Sequence, residues 1–196
     1  MWQKNQKRKV VVARLAALTV SVVVASVFTL NASRAAFTAT TSNTGNSWSA
    51  GTVVLTDDDA SAVMFNVTNM KPGDTNTKCI KVDYTGSLAA DVKMYGAVAG
   101  TGLATHLTAT VEVGAGGTFA SCTGWVANAT PVSFTGTLAA FGTTHSNFTN
   151  GLAGFAGAVA TNTRTYRVTV ALPSGAVNAA QGLTASATFT WEAQSI

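Results

Sequence analysis

Arg164-Thr165-Tyr166-Arg167-Val168-Thr169-Val170-Ala171-Leu172 is the stretch that decides the fold. Tyr166, Val168, Val170 and Leu172 fall on one face and the intervening residues on the other, the two-residue period of a half-buried β-strand. Pro173-Ser174-Gly175 ends it with a turn. The same period recurs outward along the chain. Leu183–Glu192 sets Ala185, Ala187, Phe189 and Trp191 against Thr184, Ser186, Thr188 and Thr190. Lys78–Tyr84 sets Lys78, Ile80, Val82 and Tyr84 against Cys79, Lys81 and Asp83. Val63–Val67 carries Val63, Phe65 and Val67 on one face, and Thr52–Thr56 is a further strand closed by Asp57-Asp58-Asp59. Thr108–Val113 and Phe119–Val126 continue the pattern. Asp91–Val98 follows the Thr85-Gly86-Ser87 turn as a hairpin or a short crossover. In Asn69-Met70-Lys71-Pro72-Gly73-Asp74, Pro72 and Gly73 fit the central positions of a type II turn. The stretch 136–162, loaded with Gly, Ala, Thr and Asn, leaves three readings open: short strands, a short helix near Leu152–Ala158, or a long surface loop. Many short strands without any helical period predict an all-β, antiparallel β-sandwich, with a jelly roll as its natural closure.

The first residues are a different material. Met1–Arg14 holds Lys4, Lys7, Arg8, Lys9 and Arg14 without an acid, and the 16 residues Leu15–Leu30 are uncharged and apolar. A basic start, a short apolar run and a small-residue exit describe a secretory signal peptide. The run is short of the roughly 20 residues a membrane-spanning helix needs. Residues 1–35 are therefore expected to be a hydrophobic signal helix, cleaved after Ala35 or Ala36, and 36–196 a single domain. An uncleaved anchor, the membrane touched only through this segment, is the alternative. Past the signal six basic residues face eight acids, a net charge of −2 rather than +4. The basic balance belongs to the signal and gives no reason to expect nucleic acid as a partner.

Cys79 and Cys122 are the only cysteines. In an exported chain they read as a disulfide, with two buried thiols as the alternative. Catalytic signatures are absent. His106 and His145 stand apart, neither lies in His-Glu-x-x-His, and no Gly-x-Ser-x-Gly elbow occurs. Asp57, Asp58 and Asp59 are the candidate metal ligands, for Ca²⁺, against a solvated turn; no other cofactor is expected. Asn66, Asn128 and Asn147 begin Asn-x-Thr acceptor sequences, near what chance gives in so Asn- and Thr-rich a chain. Leu172-Pro173-Ser174-Gly175 lacks the Thr and the hydrophobic tail of a wall-sorting signal.

Three blocks carry a family resemblance. One is Ala36-Phe37-Thr38 through Asn43 and Trp48 to Ala50-Gly51-Thr52-Val53-Val54-Leu55. The second is Asn66-Val67-Thr68-Asn69-Met70-Lys71-Pro72-Gly73-Asp74 with Lys78, then Gly86-Ser87-Leu88 and Asp91-Val92-Lys93. The third is Asn178–Gly182 leading to Thr188-Phe189-Thr190-Trp191-Glu192-Ala193-Gln194. In order and spacing they resemble the TasA/camelysin family of exported bacterial proteins, while 103–163 matches poorly. The resemblance implies a jelly-roll fold, processing by a SipW-type signal peptidase, a secreted or cell-surface location and, for matrix-forming members, self-association into fibres. The freed N-terminal strand is then donated to the next subunit. Here Phe37, Thr38, Ala39 and Thr40 would begin that donor, running to about Ser47; a frayed or self-inserted first strand is the alternative. Camelysin is described as a metallo-endopeptidase; no zinc motif is present, so that activity is not carried over directly, and a camelysin-like surface metalloendopeptidase stands as the second reading. A glycan-binding adhesin, with Trp48, Trp125 or Trp191 exposed for stacking on sugars, is a third reading.

Overall fold

Ile80, Tyr166 and Val113 lie opposite one another on three neighbouring strands, and all three are buried. This row is the centre of the larger of two antiparallel sheets in the computed structural model, which describes residues 49–176 and 178–196. The chain divides into two units, Met1–Ser49 and Ala50–Ile196. The signal segment, Ala35 and Ala36, and the donor residues Phe37, Thr38, Ala39 and Thr40 lie outside the described residues.

The elements of the second unit are β1 (Leu55–Asp57), β2 (Thr75–Tyr84), β3 (Ala90–Gly100), β4 (Thr108–Ala115), β5 (Val126–Ala127), β6 (Ser133–Thr137), α1 (Leu138–Thr144), β7 (Leu152–Ala158), β8 (Asn162–Ala171) and β9 (Ala185–Ser195). The larger sheet runs β1-β2-β8-β4, with β5 and β6 both paired to the far side of β4. The smaller runs β7-β3-β9. Between them lie Tyr84, Tyr166, Phe141, Met94, Val92 and Val111, each less than 2% exposed. The fold is the all-β sandwich that the two-residue period requires: side chains alternate, so one face of each sheet is apolar and packs inward. The outer face of the larger sheet is polar, and Thr77, Thr169, Thr110 and Thr135 form a row across β2, β8, β4 and β6.

Four strand expectations shift. Asp91–Val98 belongs to a crossover, because β2 and β3 lie in different sheets. Thr52–Val54 is pinned by backbone bonds from Thr85 to Val54 and from Leu88 to Thr52, but ladder pairing starts only at Leu55. Phe119–Val126 is mostly loop, since Gly116, Gly117, Ala120 and Gly124 all take positive φ and, beside a single Thr118–Ser121 bridge, ladder pairing is confined to Val126–Ala127. Val63–Val67 is not a strand at all. Pro72-Gly73 does form the expected turn: Gly73 has φ 94° and Asp74 N–H donates to Lys71 O at 3.0 Å.

Within 136–162 the helix and the strand occupy unexpected places. Thr137 caps α1 by accepting from Ala140 N–H at 3.0 Å, and the helix buries Leu138 and Phe141. Leu152–Ala158 is β7, with Leu152, Phe155 and Ala158 buried three residues apart. That helix-like spacing arises because two register shifts against β3, on either side of Val92, reset the alternation. Gly154 is needed there, since a Cβ would collide with the Tyr166 hydroxyl.

Tyr166 is fully buried, its ring edge-on to Trp191 at 5.4 Å, and its hydroxyl has no hydrogen-bond partner. Burial pushes its pKa well above the ordinary tyrosine value, against an opposing pull from the Arg164 charge. The folded state thus holds the proton more tightly than the unfolded chain. Its contribution is complete below about pH 10 and falls above that by at most about 1.4 kcal/mol per pH unit. Tyr166→Phe should therefore equal or exceed the parent in stability at pH 7, where it removes an unpartnered hydroxyl. It should also flatten the decline between pH 10 and 11 in urea unfolding. An unchanged alkaline slope would refute the assignment.

Candidate functional site

Three strands cannot cover the inner face of six. Over β4 and β6 the shortfall is met by α1 and by a 3-10 turn at Leu103–Thr105, which pack Leu138 and Ala104 into a second small core with Leu107 and Leu172. Over the Asn76 end of β2 the cover among the described residues is the irregular segment 63–70. Between that segment and β9 lies an open groove of about 520 Å³. Ile80, Asn76 and Val170 line it from the larger sheet; Ala187, Phe189 and Trp191 line it from β9. Val63 is 76% and Val67 44% exposed. The inward face of β9 read correctly from the sequence, yet no residue of the strand is fully buried and Ala187 is exposed, because no described residue fills the space in front of it.

The backbone of β9 is equally incomplete. Its 11 residues pair with β3 in unbroken register from Ala185↔Gly100 to Ser195↔Ala90. Its other edge meets no strand among the described residues. Proteins guard such edges with lysine, proline, bulges or shortness. Among the edge strands, β1 has three residues, β5 two and β6 five. The opposite edge of the smaller sheet, β7, is bulged and bent by Gly157 at φ 57°. β9 has none of these guards: it is long, regular, free of Lys, Arg and Pro, and carries one charge. That charge, Glu192, accepts from Tyr95 Oη at 2.9 Å and from Gln194, bonds that hold its pKa below the usual carboxylate value.

The other candidates are not brought into a site. Asp58 works structurally, accepting from Lys81 N–H and Phe119 N–H, each at 2.8 Å, while Asp57 and Asp59 receive the N–H groups of Asp59 and Ser61. The rest of the acids are similarly occupied; Glu112 pairs with Arg167 at 2.7 Å and Asp91 accepts from Gly157 N–H. His145 contacts Asn150 O through Nδ1 and packs against Phe134 and Phe141. Trp125 has Arg167 stacked 3.8 Å from its ring centroid and donates Nε1–H to Thr165 O; Trp191 packs on Tyr166. Both are half-buried, and Trp48 lies outside the described residues. Cys79 and Cys122 are joined as a disulfide.

An all-β sandwich whose β9 edge meets no other strand among the described residues is the class defined here. The chain belongs to the camelysin metallo-endopeptidase family, whose sequence model matches residues 5–103. Members of that family are extracellular or cell-surface proteins. No curated protein matches the chain. Among the described residues no helix is long and apolar enough to cross a membrane.

The family's description implies a metal ion, and the residues present do not fit one. Among the described residues no three His, Cys, Asp or Glu side chains gather, and the undescribed residues contain none of those four types. The matched span has neither His nor Glu, the usual ligands and general base of a zinc peptidase.

Proposed function

We propose that this chain is a structural subunit of an extracellular fibre or matrix, linked head-to-tail when the N-terminal segment of one copy enters the β9 groove of the next. The unguarded 11-residue edge of β9 carries this reading. An extended segment added there would satisfy the free backbone groups of β9, and its alternate side chains would fill the space before Ala187, Phe189 and Trp191. Phe37–Ser47 matches β9 in length, at 11 residues, and contains no charge and no proline. Its one large apolar residue, Phe37, is the anchor. Such a contact joins two different surfaces, so it need not close into a ring and filaments can grow. Cleavage after Ala35 or Ala36 by a SipW-type peptidase would free the donor, making export and assembly one event.

The peptidase reading has no observation in its favour beyond the family's description. Electron microscopy of the purified secreted chain, beside the same chain cut to Ala50–Ile196, tests the proposal. Fibres are expected from the first and monomers from the second. Monomers from both, even after seeding, or fibres from both, would overturn it.

A further inference from the structure

Val63–Val67 reads as a strand in sequence but is irregular in the fold, and it faces the same groove as β9. Val63–Thr68 makes no backbone hydrogen bond among the described residues. Its burial does not alternate: Met64 and Phe65 lean on the core while Val63, Asn66 and Val67 are exposed. Both ends are turned by residues in the left-handed region, Ala60 at φ 49° and Ser61 at φ 66° on one side and Asn69 at φ 55° on the other. Ala62 N–H donates to Asp59 O at 2.9 Å across the first pair, closing the type of tight turn that joins hairpin strands. Left-handed backbone is disfavoured at residues such as Ala60 and Ser61, which carry a Cβ. The segment is therefore a strand-like sequence between a hairpin-type turn and a left-handed residue, facing a groove, with no strand beside it among the described residues.

We infer that Val63–Val67 is a latent strand whose pairing partner arrives with the donor. The inference rests on the fibre reading and deepens it. The incoming segment pairs with β9 on one edge and with Val63–Val67 on the other. The smaller sheet grows from three strands to five, in the order β7-β3-β9-donor-latent strand, and so covers the inner face of the larger one. Over the length of Val63–Val67 the backbone groups of the donor are then satisfied on both sides, which a single edge contact does not achieve. In the isolated subunit the segment partly shields Phe65 and Met64, and the exposure of Val63 and Val67 is the cost of waiting.

Hydrogen exchange of the Val63–Thr68 amides tests this separately from fibre formation. The secreted chain is compared as monomer, as fibre, and as monomer with a synthetic peptide of residues 37–47. Exchange near the unprotected rate is expected in the monomer, slowing at least 100-fold in the fibre or with peptide. If β9 amides become protected while those of 63–68 do not, the donor docks and the latent strand is refuted. If neither fibre nor peptide protects either segment, both readings fail. Asn66→Pro and Val67→Pro supply the second arm. Neither removes a hydrogen bond of the monomer, so both should keep its circular dichroism and melting curve. Adjacent positions point to opposite edges, so one of the two should slow fibre growth at least tenfold. Growth at the parent rate by both would overturn the inference.

Discussion

Replacing both cysteines, as Cys79→Ala with Cys122→Ala, is expected to lower the unfolding free energy by about 4 kcal/mol. The bridge closes a loop of sequence separation 43, and loop closure in the unfolded chain sets the size of the effect. The folded side explains why little else compensates. The loop 116–125 turns through four left-handed residues and lies over the outer face of β2, where Cys79 is fully buried beneath it. Besides the disulfide it is held near its middle by Ala120 N–H to Cys79 O and Phe119 N–H to Asp58 Oδ2, both 2.8 Å, and at its end by Trp125, which donates to Thr165 O and stacks on Arg167. With a urea dependence of about 2 kcal/mol per molar, the midpoint should fall by about 2 M. A fall of less than 0.5 M would mean the loop is held without the bridge. Reduction with dithiothreitol under mild denaturant should reproduce the variant.

Ala187→Lys should abolish assembly and leave the subunit intact. Ala187 is exposed on the groove side of β9, so the subunit's stability should change by less than about 0.5 kcal/mol. In the fibre the same ammonium would have to be buried under the donor without a partner, at a cost of about 3 kcal/mol or more. The critical concentration should then rise by a factor of at least about 100. Lysine at an edge strand is also the common natural device against strand addition. Sedimentation of fibres across a concentration series reads the change directly. Normal assembly of this variant would place the subunit contact elsewhere.

The sandwich was legible because the long strands obey a strict period of two. Tyr166, Val168 and Leu172 are buried as the alternation requires, as are Ile80, Val82 and Tyr84 on the neighbouring strand. Legibility failed where the backbone departs from that period. The bulges opposite β7 shifted the phase and imitated a helix, and α1 is too short to leave a periodic signature of its own. Val63–Val67 is the instructive case. The sequence pattern describes a strand, and the fold lacks the neighbour that would make it one. The groove itself could not be read, since it comes from the unequal width of two sheets and no local pattern records strand order. The proposed donor, by contrast, is a feature of the sequence alone: residues 37–47 are short, uncharged and proline-free, and they lie outside the described residues. The aspartate run shows the reverse. It looked like a ligand set, but Asp58 is spent on two backbone amides and holds β1, β2 and the disulfide loop together.

Titrating the Ala50–Ile196 unit, which carries the whole described core, with a fluorescent peptide of residues 37–47 tests the central claim most directly. Saturable one-to-one binding is expected, lost on Ala187→Lys in the protein and weakened at least tenfold by Phe37→Ala in the peptide. No binding, or binding indifferent to Ala187→Lys, would contradict the assignment of the β9 groove as the acceptor.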